Sequence, residues 1–341
     1  MIDLKDLTGE ELEALVVSMG EKPFRARQIR KWLFCAGKSD FESMTDLSRG
    51  LRDRLAEKTR ISGLKRLQVE TSRDKSRKIL WGLEDGARIE SVLIPERGHM
   101  TLCVSSQVGC AMGCRFCRTA GLGFKRNLTQ AEIINQALGA RAIMAEDENL
   151  TNIVFMGMGE PLANLDNVVR AINVLTEPGL MGLGKRRLSL STVGLVPELP
   201  KLAQAVAVGL TVSLNAADDK TREYLMPVNR RYSLAKLRRA LTAFPLPSRR
   251  RITIAYVLLA GVNDSEKDAL NLTRFLAGLR VKVNLIPFNP FPGAEFETPD
   301  EDTIYAFQKV LVRKNYTAII RWSKGQDISA ACGQLAGEEG R

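Results

Sequence analysis

In 341 residues the chain has a single histidine, His99. A structural zinc site takes four Cys or His ligands, so histidine-based metal sites are close to excluded. The commonest general base is also scarce, which pushes any proton transfer towards a carboxylate. Six cysteines are too few for a disulfide scaffold at this length. No apolar run is long enough to span a bilayer, and MIDLKDLTGEELEALVVSMG sets acidic residues ahead of its apolar stretch with no cleavage-like site. A cytoplasmic protein without a membrane segment is therefore predicted. Long internal repeats and low-complexity tracts are missing too, which argues against a solenoid or a disordered chain.

What is present is an ordinary globular composition, 45% hydrophobic and 26% charged, with a formal net charge of +11. Such a surface attracts polyanions, of which nucleic acid is the commonest. Basic groups gather at Lys22-Arg25-Arg27-Arg30-Lys31, Lys185-Arg186-Arg187, Arg230-Arg231 and Arg249-Arg250-Arg251.

Helical patterns in GEELEALVVSM, FRARQIRKWLF and LSRGLRDRLAEK predict a compact module over residues 1–63. Over 64–100, RKILWGLEDGARIESVLIP reads as a hairpin turning at Glu84-Asp85-Gly86. From 101 to 325, the apolar strands TLCVSS, NIVFMG, RLSLST, LTVSLN, RITIAYVLL, VKVNLIP and TAIIRW alternate with helical stretches. This is an α/β pattern of parallel strands that closes into a full or partial barrel, with its site at the strands' C-terminal ends. Residues 326–341 form a C-terminal segment whose polar end, QLAGEEGR, is expected to fray.

Directly after TLCVSS, the loop QVGCAMGCRFCRTAGLGFKR carries Cys110, Cys114 and Cys117 as CxxxCxxC. Three cysteines on a [4Fe–4S] cube leave one iron open to an amino and a carboxylate group, whereas an electron-transfer ferredoxin supplies a fourth cysteine. The triplet, with Phe116 before its last cysteine, is similar to that of the radical S-adenosylmethionine superfamily, and NIVFMGMGEP strengthens the match. The resemblance implies a partial (β/α)6-type barrel carrying a helical accessory domain and a hairpin lead-in. It also implies that Gly159 and Glu160 engage the amino group of S-adenosylmethionine. Ser191, Ser213, Leu214, Asn215 and Asn289 would contact the same ligand from other strand ends.

Cys103 in TLCVSS and Cys332 in GQDISAACGQLAG, with the words from FRARQIRKWLF to AACGQL, make nearly the whole chain resemble the RlmN family, adenine C2 methyltransferases of ribosomal and transfer RNA. What this implies is a methyl group taken by the Cys332 thiolate from one S-adenosylmethionine. Cleavage of a second gives a 5′-deoxyadenosyl radical, which removes hydrogen from that methyl group, and the carbon radical adds to C2 of the base. Glu90, in RIESVLIP, accepts the C2 proton, and Cys103 releases the RNA by forming a transient disulfide with Cys332. The implied substrates are an adenosine in the peptidyl-transferase loop of 23S rRNA and the adenosine 3′ of the tRNA anticodon. An external electron donor such as flavodoxin and a monomeric enzyme are implied as well.

Asn215 stands where the family commonly has histidine, and RNA binding is expected to fall to the N-terminal basic helices instead of a basic tail. Cys35 in WLFCAG is expected to pack as a small hydrophobe. Two other readings remain: methylation of C8 of the ribosomal adenosine, as by Cfr resistance methylases, and a non-catalytic RNA-binding protein with structural zinc. The second leaves Cys103 and Cys332 without a purpose.

Overall fold

A computed structural model describes residues 1–337. The N-terminal module holds α1 (Gly9–Ser18), α2 (Phe24–Arg30) and α3 (Arg49–Lys58), closed by a parallel bridge between β1 (Ile2–Asp3) and β2 (Thr59–Arg60). Thr8 starts α1 with a capping box, its hydroxyl taking the Glu11 N–H and the Glu11 carboxylate taking the Thr8 N–H. Cys35 ends a π-turn that follows α2 and is exposed, contrary to the expectation that it packs. Its neighbours Leu33 and Phe34 occupy the core-facing positions of that turn and leave Cys35 pointing outward.

Four strands follow in antiparallel order, β3 (Lys65–Thr71), β4 (Arg77–Gly82), β5 (Arg88–Glu96) and β6 (His99–Cys103). The hairpin turn is as expected, but it belongs to a larger wing. β3 adds an outer strand, and β5 pairs with β6, which joins the wing to the barrel strands in one ten-stranded sheet. Short β7 (Gln107–Gly109) and β8 (Phe124–Asn127) pair across the cysteine loop, which contains the one-turn α4 (Arg118–Gly121).

β6 then pairs in parallel with β9 (Leu150–Phe155), followed by β10 (Leu188–Thr192), β11 (Gly209–Ser213), β12 (Ile252–Leu258), β13 (Val281–Pro287) and β14 (Ala318–Ile320). All seven apolar runs of the sequence are strands of this sheet. The crossovers are α5 (Gln130–Arg141), α6 (Leu165–Thr176), α7 (Glu198–Ala205), α8 (Asp219–Leu225) with α9 (Leu234–Ala243), α10 (Glu266–Leu276) and α11 (Glu301–Arg313). Among the described residues β14 does not pair with the opposite edge, so the barrel is an arc. Its apolar core is continuous with that of the N-terminal module, running from Leu4 and Leu12 to Phe155, Val212 and Phe307. The tail also departs from expectation: Gln334, Leu335 and Ala336 are buried, because the segment turns back over the strand ends. Residues 338–341 lie outside the described residues.

Candidate active site

The cysteine loop leaves the C-terminal end of β6 and is pinched at its base by the β7–β8 ribbon. Gly109 allows that pinch: its φ is +73°, and a Cβ there would lie 1.9 Å from the Gly123 carbonyl oxygen. The Cys110 N–H donates to that same carbonyl at 2.8 Å, and the Cys117 N–H donates to the Cys114 carbonyl at 3.1 Å. Burial pushes the Cys110 thiol up to about 12 and raises Cys114 and Cys117 as well, and Cys110 and Cys114 both feel Cys117. Three thiols held together in apolar surroundings are poor anions until a cationic centre joins them. No set of three or more His, Cys, Asp or Glu among the described residues forms a ligand group for a metal ion. A cube takes each thiolate on a different iron, so its ligands need not meet as closely as those of one ion. The donor set therefore fits a [4Fe–4S] cluster better than zinc.

Behind the loop, a pocket opens at the C-terminal ends of β9 to β13, and Cys117 and Cys332 both reach it. Ser191, Ser213 and Asn289 line it from the ends of β10, β11 and β13. Gly159, with φ +101°, turns the chain so closely against Gln107 that a Cβ would lie 2.5 Å from the Gln107 Cβ. That turn directs Glu160 into the pocket, where it is 3% exposed. Its carboxylate accepts from the Leu162 N–H at 3.0 Å and from the Val193 N–H at 2.8 Å. Burial outweighs these bonds and pushes Glu160 up to about 7. A cationic amino group is the partner that such a carboxyl lacks.

Leu214 and Asn215 behave differently from the other strand-end residues. Leu214 is fully buried and is not on the pocket wall. Asn215 lines the pocket but adopts φ +59°, a left-handed conformation that Asn tolerates better than most residues. Its amide is already engaged, Oδ1 accepting from the Val257 N–H at 2.8 Å and Nδ2 facing the Met226 sulfur at 3.2 Å. At this position asparagine braces the strand ends.

Cys103 ends β6 and is buried, and its thiol is pushed well up by burial and next by Cys332. Val92 pairs with Cys103, so Glu90, two residues along β5, points to the same face of the sheet. Glu90 is 1% exposed and is covered by the tail: its Oε2 accepts from the Ala336 N–H at 2.8 Å. Lys78 approaches the other oxygen at 3.7 Å while pairing with Glu70 at 2.8 Å. Cys332 is exposed, although the surrounding protein, and next Cys117, still raise its thiol. Its carbonyl accepts from Asn289 Nδ2 at 3.0 Å, and the Gln326 side chain donates to Asn289 Oδ1 at 2.9 Å. The Arg118 N–H and the Thr119 hydroxyl, from the cysteine loop, hold the Gly333 and Leu335 carbonyls at 2.8 and 2.6 Å. All six cysteines are free thiols.

Lys78, Thr119, Gln326 and Arg222 are constituents of the site that sequence patterns did not single out. Thr119 and Gln326 act through partners distant in sequence, Leu335 and Asn289, while Lys78 and Arg222 have nearer partners that only the folding of strands and loops brings to them.

Two family models match: the ribosomal RNA large subunit methyltransferase N-terminal domain over residues 2–61 and the radical SAM superfamily over residues 104–273. A Geobacter sulfurreducens protein named dual-specificity RNA methyltransferase RlmN is 51% identical over 338 residues, covering 99% of this chain and 93% of its own. A protein of the same name from Geotalea uraniireducens is 51% identical, covering 98% and 97%. The crystal structure of a radical SAM methyltransferase from Sphaerobacter thermophilus superposes with a TM-score of 0.94 at 42% identity, covering 99% of this chain and all of that one. With the three-cysteine loop at the mouth of an open α/β arc, a second pair of thiols beside it, and relatives matching from end to end, the chain belongs to the RlmN family of radical S-adenosylmethionine RNA methyltransferases.

Proposed function

We propose that the protein methylates C2 of adenosine in the peptidyl-transferase loop of 23S rRNA and at the position 3′ of the tRNA anticodon. Two molecules of S-adenosylmethionine are consumed per methyl group. The observation that carries this reading is the convergence of thiols: Cys117 of the loop and Cys332 of the tail line one pocket, and Cys103 ends β6, the strand from which the loop departs.

When bound, the cluster and S-adenosylmethionine supply a methyl group and a radical able to take hydrogen from it. Cys110, Cys114 and Cys117 would each bind one iron of such a cluster. Gly159 and Glu160 receive the amino end of S-adenosylmethionine, and Ser191, Ser213 and Asn289 flank it; for Asn215 and Leu214 the contact passes to the backbone. Cys332 carries the methyl group as a thioether and becomes joined through it to the base. For release, the Cys103 sulfur bonds to the Cys332 sulfur and the carbon–sulfur bond to the RNA breaks. Its electron pair, with a proton, completes the methyl group. The unpaired electron that radical addition leaves on the base would return to the oxidised cluster, so that the link is a closed-shell thioether before the Cys103 sulfur attacks, and Glu90 takes the C2 proton. Because Ala336 covers its carboxylate, that role requires the tail to withdraw from the strand ends.

Residues 1–63 serve as the RNA-binding accessory domain, 64–100 as the extension, 101–325 as the radical SAM barrel and 326–341 as the carrier of Cys332. An external one-electron donor such as flavodoxin reduces the cluster, and the enzyme works as a monomer in the cytoplasm. No helix among the described residues is long and apolar enough to cross a membrane.

The test is Cys103→Ala. The variant is expected to accumulate protein covalently attached to RNA, seen as a nuclease-sensitive band shift on denaturing gels, while wild-type enzyme yields 2-methyladenosine in digested rRNA and tRNA. Absence of any adduct would remove the two-thiol release, and 8-methyladenosine in the digest would transfer the protein to the C8 class.

A further inference from the structure

Arg222, on α8, is fully buried. Its guanidinium donates to the Val193 carbonyl at 2.8 Å, the Leu214 carbonyl at 3.2 Å, the Tyr232 carbonyl at 3.4 Å and Asn229 Oδ1 at 2.8 Å. Every one of these acceptors is neutral. The nearest carboxylate, exposed Asp219, reaches the guanidinium only through Asn229, whose Nδ2 donates to Asp219 Oδ1 at 2.8 Å. Burying an arginine without a direct anionic partner is costly, and such a charge persists when a counter-charge is supplied from elsewhere.

The cysteine loop lies on that side. The Arg115 N–H donates to the carbonyl of Leu225, one turn after Arg222, at 3.0 Å. Cys114 shares an apolar cluster with Leu225 and Met226. The Arg222 guanidinium and the Cys114 thiol also feel one another, each favouring the charged form of the other against the larger effect of burial. Three thiolates on an oxidised cube leave a net negative charge, and reduction adds one more unit. A fixed cation nearby stabilises the reduced form more than the oxidised form.

We propose that Arg222 is an electrostatic positioning residue for the cluster, acting through Cys114 to raise the potential at which the cluster accepts its electron. The proposal rests on the assignment of Cys110, Cys114 and Cys117 as the cluster ligands. By the same bonds Arg222 ties the loops after β10 and β11 together, so charge and geometry have to be separated in the test.

The experiment is an anaerobic redox titration, read by the paramagnetic signal of the reduced cluster, on full-length reconstituted protein without S-adenosylmethionine. In Arg222→Gln the ratio of reduced to oxidised cluster at a fixed potential is expected to fall about tenfold, a shift of about 59 mV to more negative values for one electron. Arg222→Lys, which keeps the charge and loses the fork, stays within about threefold of wild type on the same scale. Asp219→Asn, which removes the nearest opposing charge, moves the potential in the positive direction. An unchanged midpoint in a fully loaded Arg222→Gln protein overturns the proposal, as do equal shifts in the Gln and Lys variants. Should Arg222→Gln fail to load a cluster, Asp219→Asn decides: a positive shift supports the proposal, and no shift or a negative one overturns it. Wild-type protein with no such cluster signal overturns the ligand assignment itself, a different and recognisable result.

Discussion

The two ends of the chain are fastened to the same arc by different means. At the N-terminus, Leu4 and Lys5 are 1% and 3% exposed, and the module's core runs unbroken into the barrel's. Polar groups at this seam are buried with their partners: Lys5 Nζ donates to the Ser62 carbonyl at 2.9 Å and to Asn135 Oδ1 at 2.8 Å, and Asp6 takes the Ala131 N–H at 2.7 Å. At the C-terminus, the segment around Cys332 buries a smaller set, Ala330, Ala331, Gln334, Leu335 and Ala336, and much of its grip consists of hydrogen bonds, most of them to its backbone and others made by the Gln334 and Asp327 side chains. Apolar burial is lost wholesale when an element leaves, whereas a hydrogen bond is exchanged for one to water at a net cost of only about 0.5–1.5 kcal/mol. On these terms the second attachment costs less to undo than the first.

The largest effect that tests this contrast comes from Cys332→Ala. Product is expected to fall below detection by nucleoside mass analysis while the urea midpoint stays at the wild-type value, because the residue is exposed and holds nothing in place. A lowered midpoint would mean that the tail is structural. Next is the pH dependence of the N-terminal seam. Burial lowers Lys5 from 10.5 to about 8, partly offset by Asp3, so between those values the unfolded chain binds a proton that the folded chain does not. Stability therefore rises with pH across this window, by about 3 kcal/mol at most, and the burial cost is fully present below pH 8. Urea unfolding of wild type against Lys5→Met, at pH 8 and above 10, should show that rise in wild type only; parallel slopes would contradict it. The smallest effect is expected from Thr119→Val, which removes the hydroxyl bonded to the Leu335 carbonyl. A loss of about 1 kcal/mol raises the open population about fivefold. Hydrogen exchange of the Ala336 N–H, which the closed tail holds on Glu90 Oε2, should accelerate by that factor, and an unchanged rate would show that the segment opens elsewhere first.

How far the sequence is legible follows the same division. The seven barrel strands could be read because burial on both faces makes them apolar runs, and the Cys110 loop because three thiols at that spacing have few other uses. β3 is hard to read because KRLQVET is a short edge strand with only Leu67 and Val69 as alternating apolar residues, both of them exposed. Arg222 and Lys78 look like surface charges in their local sequences, DDKTREYL and SRKIL; only the packing of elements far apart in the chain buries them. The motif around Asn215 could be found, but not its left-handed backbone, which keeps the residue on the pocket wall with its amide already bonded to the neighbouring strand end.

The unpaired edge of β14 has a consequence for how so large a substrate can be served. A cylinder sealed all round admits guests only end-on, which suits a metabolite but not a folded polymer. An arc with a missing stave is open to approach from the flank as well as from its ends. The stretch that leads to Cys332 crosses that gap, with Lys324 Nζ on the Pro95 carbonyl and the Gly325 N–H on Asp74 Oδ2 at 2.7 Å, so one short segment both spans the open flank and reaches the pocket.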